Sequence, residues 1–164
     1  MTMNMQKKNK IILFDIDYTV FDMGLFRESN LEKYEVYEEV HDTLTQLKEI
    51  ADLGIFSEGE LAFQRRKLYE TNIENYFLEE HIHIVKQKID VIKHILEKYR
   101  TKGKLFLVDD KLTVLISAKQ YLPSVITIWV KRGFYAMNQQ PIEGFTPDAV
   151  VENLREIIPI IDKA

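Results

Sequence analysis

At 164 residues the chain is long enough to bury one sizeable core, and 46% hydrophobic against 29% charged residues is a globular mixture, which excludes a disordered or fibrous chain. A formal charge of -4 provides no basic field, so no nucleic-acid partner is expected. Cysteine is absent, which excludes a disulfide framework, a thiolate metal site and a cysteine nucleophile, and fits a reducing compartment.

The start, "MTMNMQKKNK", is charged, and no apolar region of signal-peptide length follows it. No apolar run of about eighteen residues occurs anywhere, so a cytoplasmic location with no membrane partner is expected. Residues 1–9 are expected to be a disordered start, and 10–164 a single domain. "KIILFDI" reads as a strand buried on both faces. The stretch "NLEKYEVYEEVHDTLTQLKEIADLG" carries Tyr37, Val40, Leu44, Leu47 and Ala51 at three-to-four spacing, which predicts one long helix ending near Gly54. "GIFS" is a short apolar run ending in a hydroxyl, and "EGELAFQRRKLYETN" is helical, its basic cluster "QRRKL" reading as a solvated face. "HIHIV" alternates like a strand. "KIDVIKHILEKYR" is a helix with Ile89, Ile92, Ile95, Leu96 and Tyr99 on one stripe. "KLFLVDD" is a strand ending in paired acids, "KLTVLISAKQYL" a helix, and "SVITIWV" a further strand.

Strands that are apolar throughout, alternating with helices, predict an α/β fold with a parallel sheet covered on both faces. Ligands of such sheets bind outside the carboxyl ends of the strands. Those ends carry Asp15 and Asp17, Ser57, the segment Lys86 to Lys88, and Asp109 with Asp110. Like carboxylates this close repel, and a hard cation offsets the repulsion. Magnesium prefers oxygen ligands and takes one or two carboxylates beside phosphate oxygens. Acids, a hydroxyl and a lysine therefore suit Mg2+ together with a phosphoryl group.

The order "DIDYT", an apolar strand ending in Ser57, a lysine, then "LFLVDD" resembles the haloacid dehalogenase (HAD) superfamily of phosphohydrolases, from Lys10 to about Arg132. The resemblance implies a three-layer Rossmann-like fold and a magnesium-dependent phosphatase that forms an aspartyl-phosphate. Asp15 is then the nucleophile, and Asp17 the general acid and base, its backbone carbonyl facing the metal. Ser57 binds a phosphoryl oxygen, helped by backbone N–H groups near Glu58 and Gly59. Asp109 and Asp110 then complete the metal site with Asp15, Asp109 binding magnesium directly and Asp110 acting through a metal-bound water or by orienting the lysine. "VKQKID" offers two lysines. Lys88 is preferred for catalysis because the helical stripe starts just after it, and Lys86 is left for substrate binding.

Tyr18 stands where the family often has a small residue, and Thr113 where many members carry another acid. The short stretch from Val20 to Leu31 leaves no room for an independent cap, which predicts an open site, bulky substrates or cover from a second subunit. A homodimer through the helix of Leu31 to Leu53 is one expectation. The substrate is expected to be a phosphorylated small molecule or a phosphoprotein.

Other readings stand beside this one. Phe26, Tyr34 and Tyr37 are expected to pack the helix, with closure over the site as the alternative. His81 and His83 present two imidazoles that read as strand-surface residues, or as a zinc pair lacking a third ligand. A response-regulator receiver would carry its acidic pair on the first strand, which this order contradicts. A non-catalytic relative would be expected to lose Asp15 or Asp17. A 2-haloacid dehalogenase needs no magnesium cluster.

Overall fold

The computed structural model describes residues 8–164. The disordered start expected for 1–9 lies outside the described residues up to position 7, and the Asn9 carbonyl already accepts a hydrogen bond from the Lys104 N–H at 3.0 Å.

Among the described residues six strands form one sheet: β1 (Lys10–Phe14), β2 (Asp52–Glu58), β3 (Ile82–Val85), β4 (Lys104–Asp109), β5 (Ile126–Val130) and β6 (Ala149–Val151). Their order is β3-β2-β1-β4-β5-β6 and every pairing is parallel. The helices are α1 (Met23–Glu28), α2 (Val40–Ile50), α3 (Leu61–Glu70), α4 (Lys88–Glu97), α5 (Leu112–Tyr121), α6 (Gly133–Asn138) and α7 (Ile157–Lys163).

Successive side chains of a strand point to opposite faces. Ile12, Phe14, Phe106 and Val108 turn one way, onto Val40, Leu44 and Leu47 of α2 and Ile157 and Ile161 of α7. Ile11, Leu13, Leu105 and Leu107 turn the other way, onto Ile92, Ile95 and Leu96 of α4 and Val114, Leu115 and Ala118 of α5. Both parities of β1 and β4 are thus buried, which is why "KIILF" and "KLFLV" are apolar without alternation. The result is the expected three-layer, Rossmann-like α/β architecture.

The helix predicted from Asn30 to Gly54 is shorter. Asn30 and Leu31 take left-handed φ values of 58° and 65°, and residues 32–39 run as an irregular segment before α2 begins. That segment lies along the loop after β1: the Tyr37 N–H donates to the Val20 carbonyl at 3.2 Å and the Asp22 N–H to the Glu35 carbonyl at 2.9 Å. Tyr34 packs edge-on against Phe21 and Phe26, so its apolar character serves a loop-on-loop contact and not a helix stripe.

Gly54, expected at a helix stop, sits inside β2 beside Leu13. A Cβ there would stand 2.5 Å from the His81 Cβ, so the approach of the 3-10 turn Glu79–His81 to β2 requires glycine. Only Lys86 and Gln87 separate β3 from α4.

Candidate active site

Pairing of Phe14 with Val108 brings the next residues, Asp15 and Asp109, side by side at the carboxyl end of the sheet. The Asp15 N–H extends the ladder by donating to the Val108 carbonyl at 2.9 Å. Lys88, the first residue of α4, reaches between them from below the loop. Its Nζ donates to Asp15 Oδ1 at 2.8 Å and to Asp109 Oδ2 at 2.6 Å. Burial pulls the Lys88 ammonium down, but Asp109 and Asp15 more than offset this and hold it above the ordinary lysine range.

Asp110 completes the cluster. Trp129 Nε1 and Gln139 Nε2 both donate to its backbone carbonyl, at 3.0 and 2.6 Å, which fixes the turn. Its carboxyl Oδ2 is buried without a hydrogen-bond partner. Burial first, then the charges of Asp15 and Asp109, push the Asp110 carboxyl up to about 10. Burial likewise raises Asp109, against the pull of Lys88. Asp15, Asp109 and Asp110 each present an oxygen within 4.8 Å of the others. Three acids beside one ammonium cannot all stay ionised in a dry site without further positive charge, and an all-oxygen set with an orphaned carboxyl oxygen fits a hard divalent cation.

A cavity of about 220 Å³ opens above these groups, lined at its base by Asp15, Lys88 and Asp110 and on its walls by Asp17, Glu58 and Lys111. Tyr18, Met23, Arg27 and Tyr135 form its outer rim. Tyr18 holds a left-handed φ of 62°, a costly conformation for an aromatic residue. Gly133 accommodates it: a Cβ on Gly133 would stand 2.4 Å from the Tyr18 ring.

Asp17 stands on the cavity wall and is gripped from α3. Lys67 Nζ donates to its Oδ1 at 2.7 Å, and Gln64 Nε2 makes a longer contact to its Oδ2 at 3.4 Å. Burial raises the Asp17 carboxyl above the usual range in spite of Lys67. The reading of "QRRKL" as a solvated face is thereby corrected, since Gln64 and Lys67 are buried and face the site. A signal was present in the spacing: Gln64, Lys67 and Leu68 fall at i, i+3 and i+4, on the same face as an apolar residue.

The residues expected to bind substrate are placed unevenly. Ser57 is buried beneath the loop, its hydroxyl accepting from Gln64 Nε2 at 2.9 Å and keeping its own proton to donate. The Gly59 N–H, expected to face a phosphoryl oxygen, instead donates to the Val85 carbonyl at 2.8 Å. The N–H groups at the start of α3 are taken up by the Glu60 carboxylate, which accepts from Ala62 and Phe63 at 3.2 and 2.8 Å. Glu58 accepts from the Lys88 N–H at 2.9 Å and so caps α4, while its side chain lines the cavity. Lys86 is exposed and outside the cavity lining, because β3 ends at Val85 and the chain turns outward before α4.

Phe26 is a core residue, Tyr34 packs against it, and Tyr37 lies under the Arg132 guanidinium at 3.6 Å. His81 and His83 are neither a surface pair nor part of a metal cluster among the described residues. Both turn to the buried Tyr99 hydroxyl, His83 Nε2 at 2.5 Å and His81 Nδ1 at 3.2 Å.

Parallel strands in this order form a doubly wound α/β sheet, here with acids at the ends of the first and fourth strands. No protein-family model matches the sequence, and neither does any curated protein. Solved structures do match. A HAD-like hydrolase of Burkholderia xenovorans superposes with a TM-score of 0.76 at 19% identity, over 95% of this chain and 98% of that one. The HAD-hydrolase YfnB of Bacillus subtilis, bound to magnesium, gives 0.75 at 13% identity, over 95% and 100%. An L-2-haloacid dehalogenase of Xanthobacter autotrophicus, with chloropropionic acid covalently bound, gives 0.67 at 11%, over 94% and 98%. The chain has the fold these hydrolases share.

Proposed function

We propose that the chain is a magnesium-dependent phosphohydrolase acting on a phosphomonoester, carried by a small molecule or a protein, through phosphorylation of Asp15. The observation that carries the reading is the crowding of acids at the base of the cavity: Asp15 and Asp109 share one ammonium, Asp110 stands beside them, and a carboxyl oxygen of Asp110 is left buried and unpaired. Bound among these three acids, Mg2+ would supply charge neutralisation for the phosphoryl oxygens.

In this reading an Asp15 carboxylate oxygen attacks phosphorus as the bond to the leaving oxygen breaks, and Asp17 donates the proton that oxygen needs. Water then attacks the acyl phosphate, gives a proton to Asp17, and phosphate departs with the Asp15 carboxylate restored. Lys88 holds Asp15 in place and offsets charge on the phosphoryl group, which is where stabilisation acts in this reaction type. Ser57 retains a free O–H to donate toward the phosphoryl group.

Hydrolysis of p-nitrophenyl phosphate with Mg2+, its loss on chelation, and halide release from 2-haloacids are measured side by side. Phosphate release that needs magnesium supports the reading. Halide release without added metal, in the absence of phosphatase activity, replaces it with dehalogenation.

A further inference from the structure

Lys67 is not among the acids, serine and lysine that the phosphohydrolase reading uses, yet its side chain is only 2% exposed. Its ammonium stands in a collar of aromatic rings, 4.5 Å from the centroid of Phe63, 5.2 Å from Phe21 and 5.9 Å from Phe26, with Met23 Sδ at 3.9 Å. Asp17 is the one carboxylate within ion-pair distance of it among the described residues. Desolvating an ammonium this fully costs several kcal/mol per ion, on the order of what the pairing returns, so a lysine here is a poor device for stability alone. An apolar side chain of similar length would fill the same collar.

The cost has a geometric product. Asp17 Oδ1 is fixed by the 2.7 Å bond from Lys67, whereas Oδ2 has only the 3.4 Å contact from Gln64, itself anchored on Ser57 Oγ at 2.9 Å. One oxygen is clamped and the other is left lightly held on the cavity wall. Asp17 also needs the clamp more than Asp15 does. Its side chain is 30% exposed against 10% for Asp15, and it follows the sheet on a loop that carries the strained Tyr18.

We propose that Lys67 is a positioning residue that sets the rotamer of Asp17, so that Oδ2 faces the leaving oxygen of the substrate. This inference rests on the phosphohydrolase reading. Lys67 touches no reacting atom and acts through Asp17 alone.

The test compares wild type, Lys67→Met, Asp17→Asn and the double variant over aryl phosphates of graded leaving-group pKa and one alkyl phosphate, with magnesium. Met fills the collar and makes favourable contacts with aromatic rings. Expected for Lys67→Met is a kcat lower by about 10²-fold on the alkyl phosphate, at the low end of what acid–base catalysis contributes. The loss shrinks steadily toward the best leaving group, and KM stays near wild type. In the Asp17→Asn background Lys67→Met adds no further loss, because two residues acting as one unit are not additive. Should Lys67→Met fail to fold, Lys67→Gln is read by the same criteria. Equal losses across the series, additive losses in the double variant, or a raised kcat each overturn the inference while leaving the function intact. A wild type inert toward the whole series removes the function, and the inference with it.

Discussion

Arg132 and Lys88 both stand close to the loop after β1, and they are built on opposite rules. Arg132, just before α6, donates to Glu39 and to the Thr19 carbonyl and stacks on Tyr37. Glu39 in turn accepts from the Leu154 N–H at 3.1 Å. Burial raises the Glu39 carboxyl, but its own backbone, Arg132 and Leu154 bring it below the usual range. One cation meets one anion, and only Arg132 Nε is left without an acceptor. Lys88, by contrast, is one cation among three carboxylates. A balanced, part-buried pair braces the fold, tying the β1 loop to the end of β5 and the turn at Leu154. An unbalanced one holds energy in reserve for a ligand that supplies the missing charge.

The sharpest way to separate the two centres is to remove a carboxylate from the second. Asp15→Asn is expected to lower turnover by about 10⁴-fold or more, the scale of losing a nucleophile. The metal-free melting temperature is expected to hold or rise, because one of the crowded acids is gone and Lys88 keeps Asp109 as partner. A marked fall in melting temperature would show that Asp15 is a structural acid.

The converse experiment breaks the balanced centre. Arg132→Leu leaves Glu39 without its cation and with only its own backbone and the Leu154 N–H as donors, and leaving such an acceptor short of a partner costs about 1–3 kcal/mol. Urea denaturation reads this directly, and turnover per folded molecule is expected to be largely kept. An unchanged midpoint would mean that the brace contributes nothing.

A comparable effect follows from adding the charge that the unbalanced centre lacks. A ligand present at a hundred times its Kd stabilises by about 2.7 kcal/mol. Magnesium should therefore raise the melting temperature of wild type, and do so much less in Asp110→Asn. Equal shifts in both proteins would place the ion somewhere other than these acids.

Legibility in the sequence divides along the same line as the two centres. The sheet and Asp15, Asp109 and Asp110 are readable because a doubly buried parallel strand is a continuous apolar run, and an acid just after it stands out. Lys88 is readable because it borders an amphipathic stripe. The grip of Lys67 and Gln64 on Asp17 is not read, since charged residues on a helix are ordinarily solvated and these two differ only in the face they occupy. Gly59 misleads because its N–H is taken by a strand that is distant in sequence. Arg132 joins Thr19, Glu39 and Leu154 across large separations, and no local pattern marks such a contact. The long predicted helix fails at Asn30 and Leu31, where tertiary packing of Tyr34 on Phe21 and Phe26 overrides a spacing that suits a helix.

A third polar cluster, far from the cavity, yields the smallest effect and sharpens the distinction, because it is balanced with no charge at all. The Tyr99 hydroxyl lies between His83 and His81, and it can donate to one neutral ring while accepting from the other. Burial pushes His83 down to about 4, helped by nearby Lys98 and by His81, and burial lowers His81 as well. Unfolded histidine titrates near 6.5. Between that value and about 4 the unfolded chain binds the proton more readily than the folded one, so stability is lost as pH falls through this window. One residue contributes at most about 1.4 kcal/mol per pH unit. Denaturant midpoints at pH 7 and pH 5 are expected to differ more in wild type than in His83→Gln, which cannot take up the proton. If the substitution leaves the difference unchanged, the acid sensitivity lies in other groups and the Tyr99 cluster is merely packed.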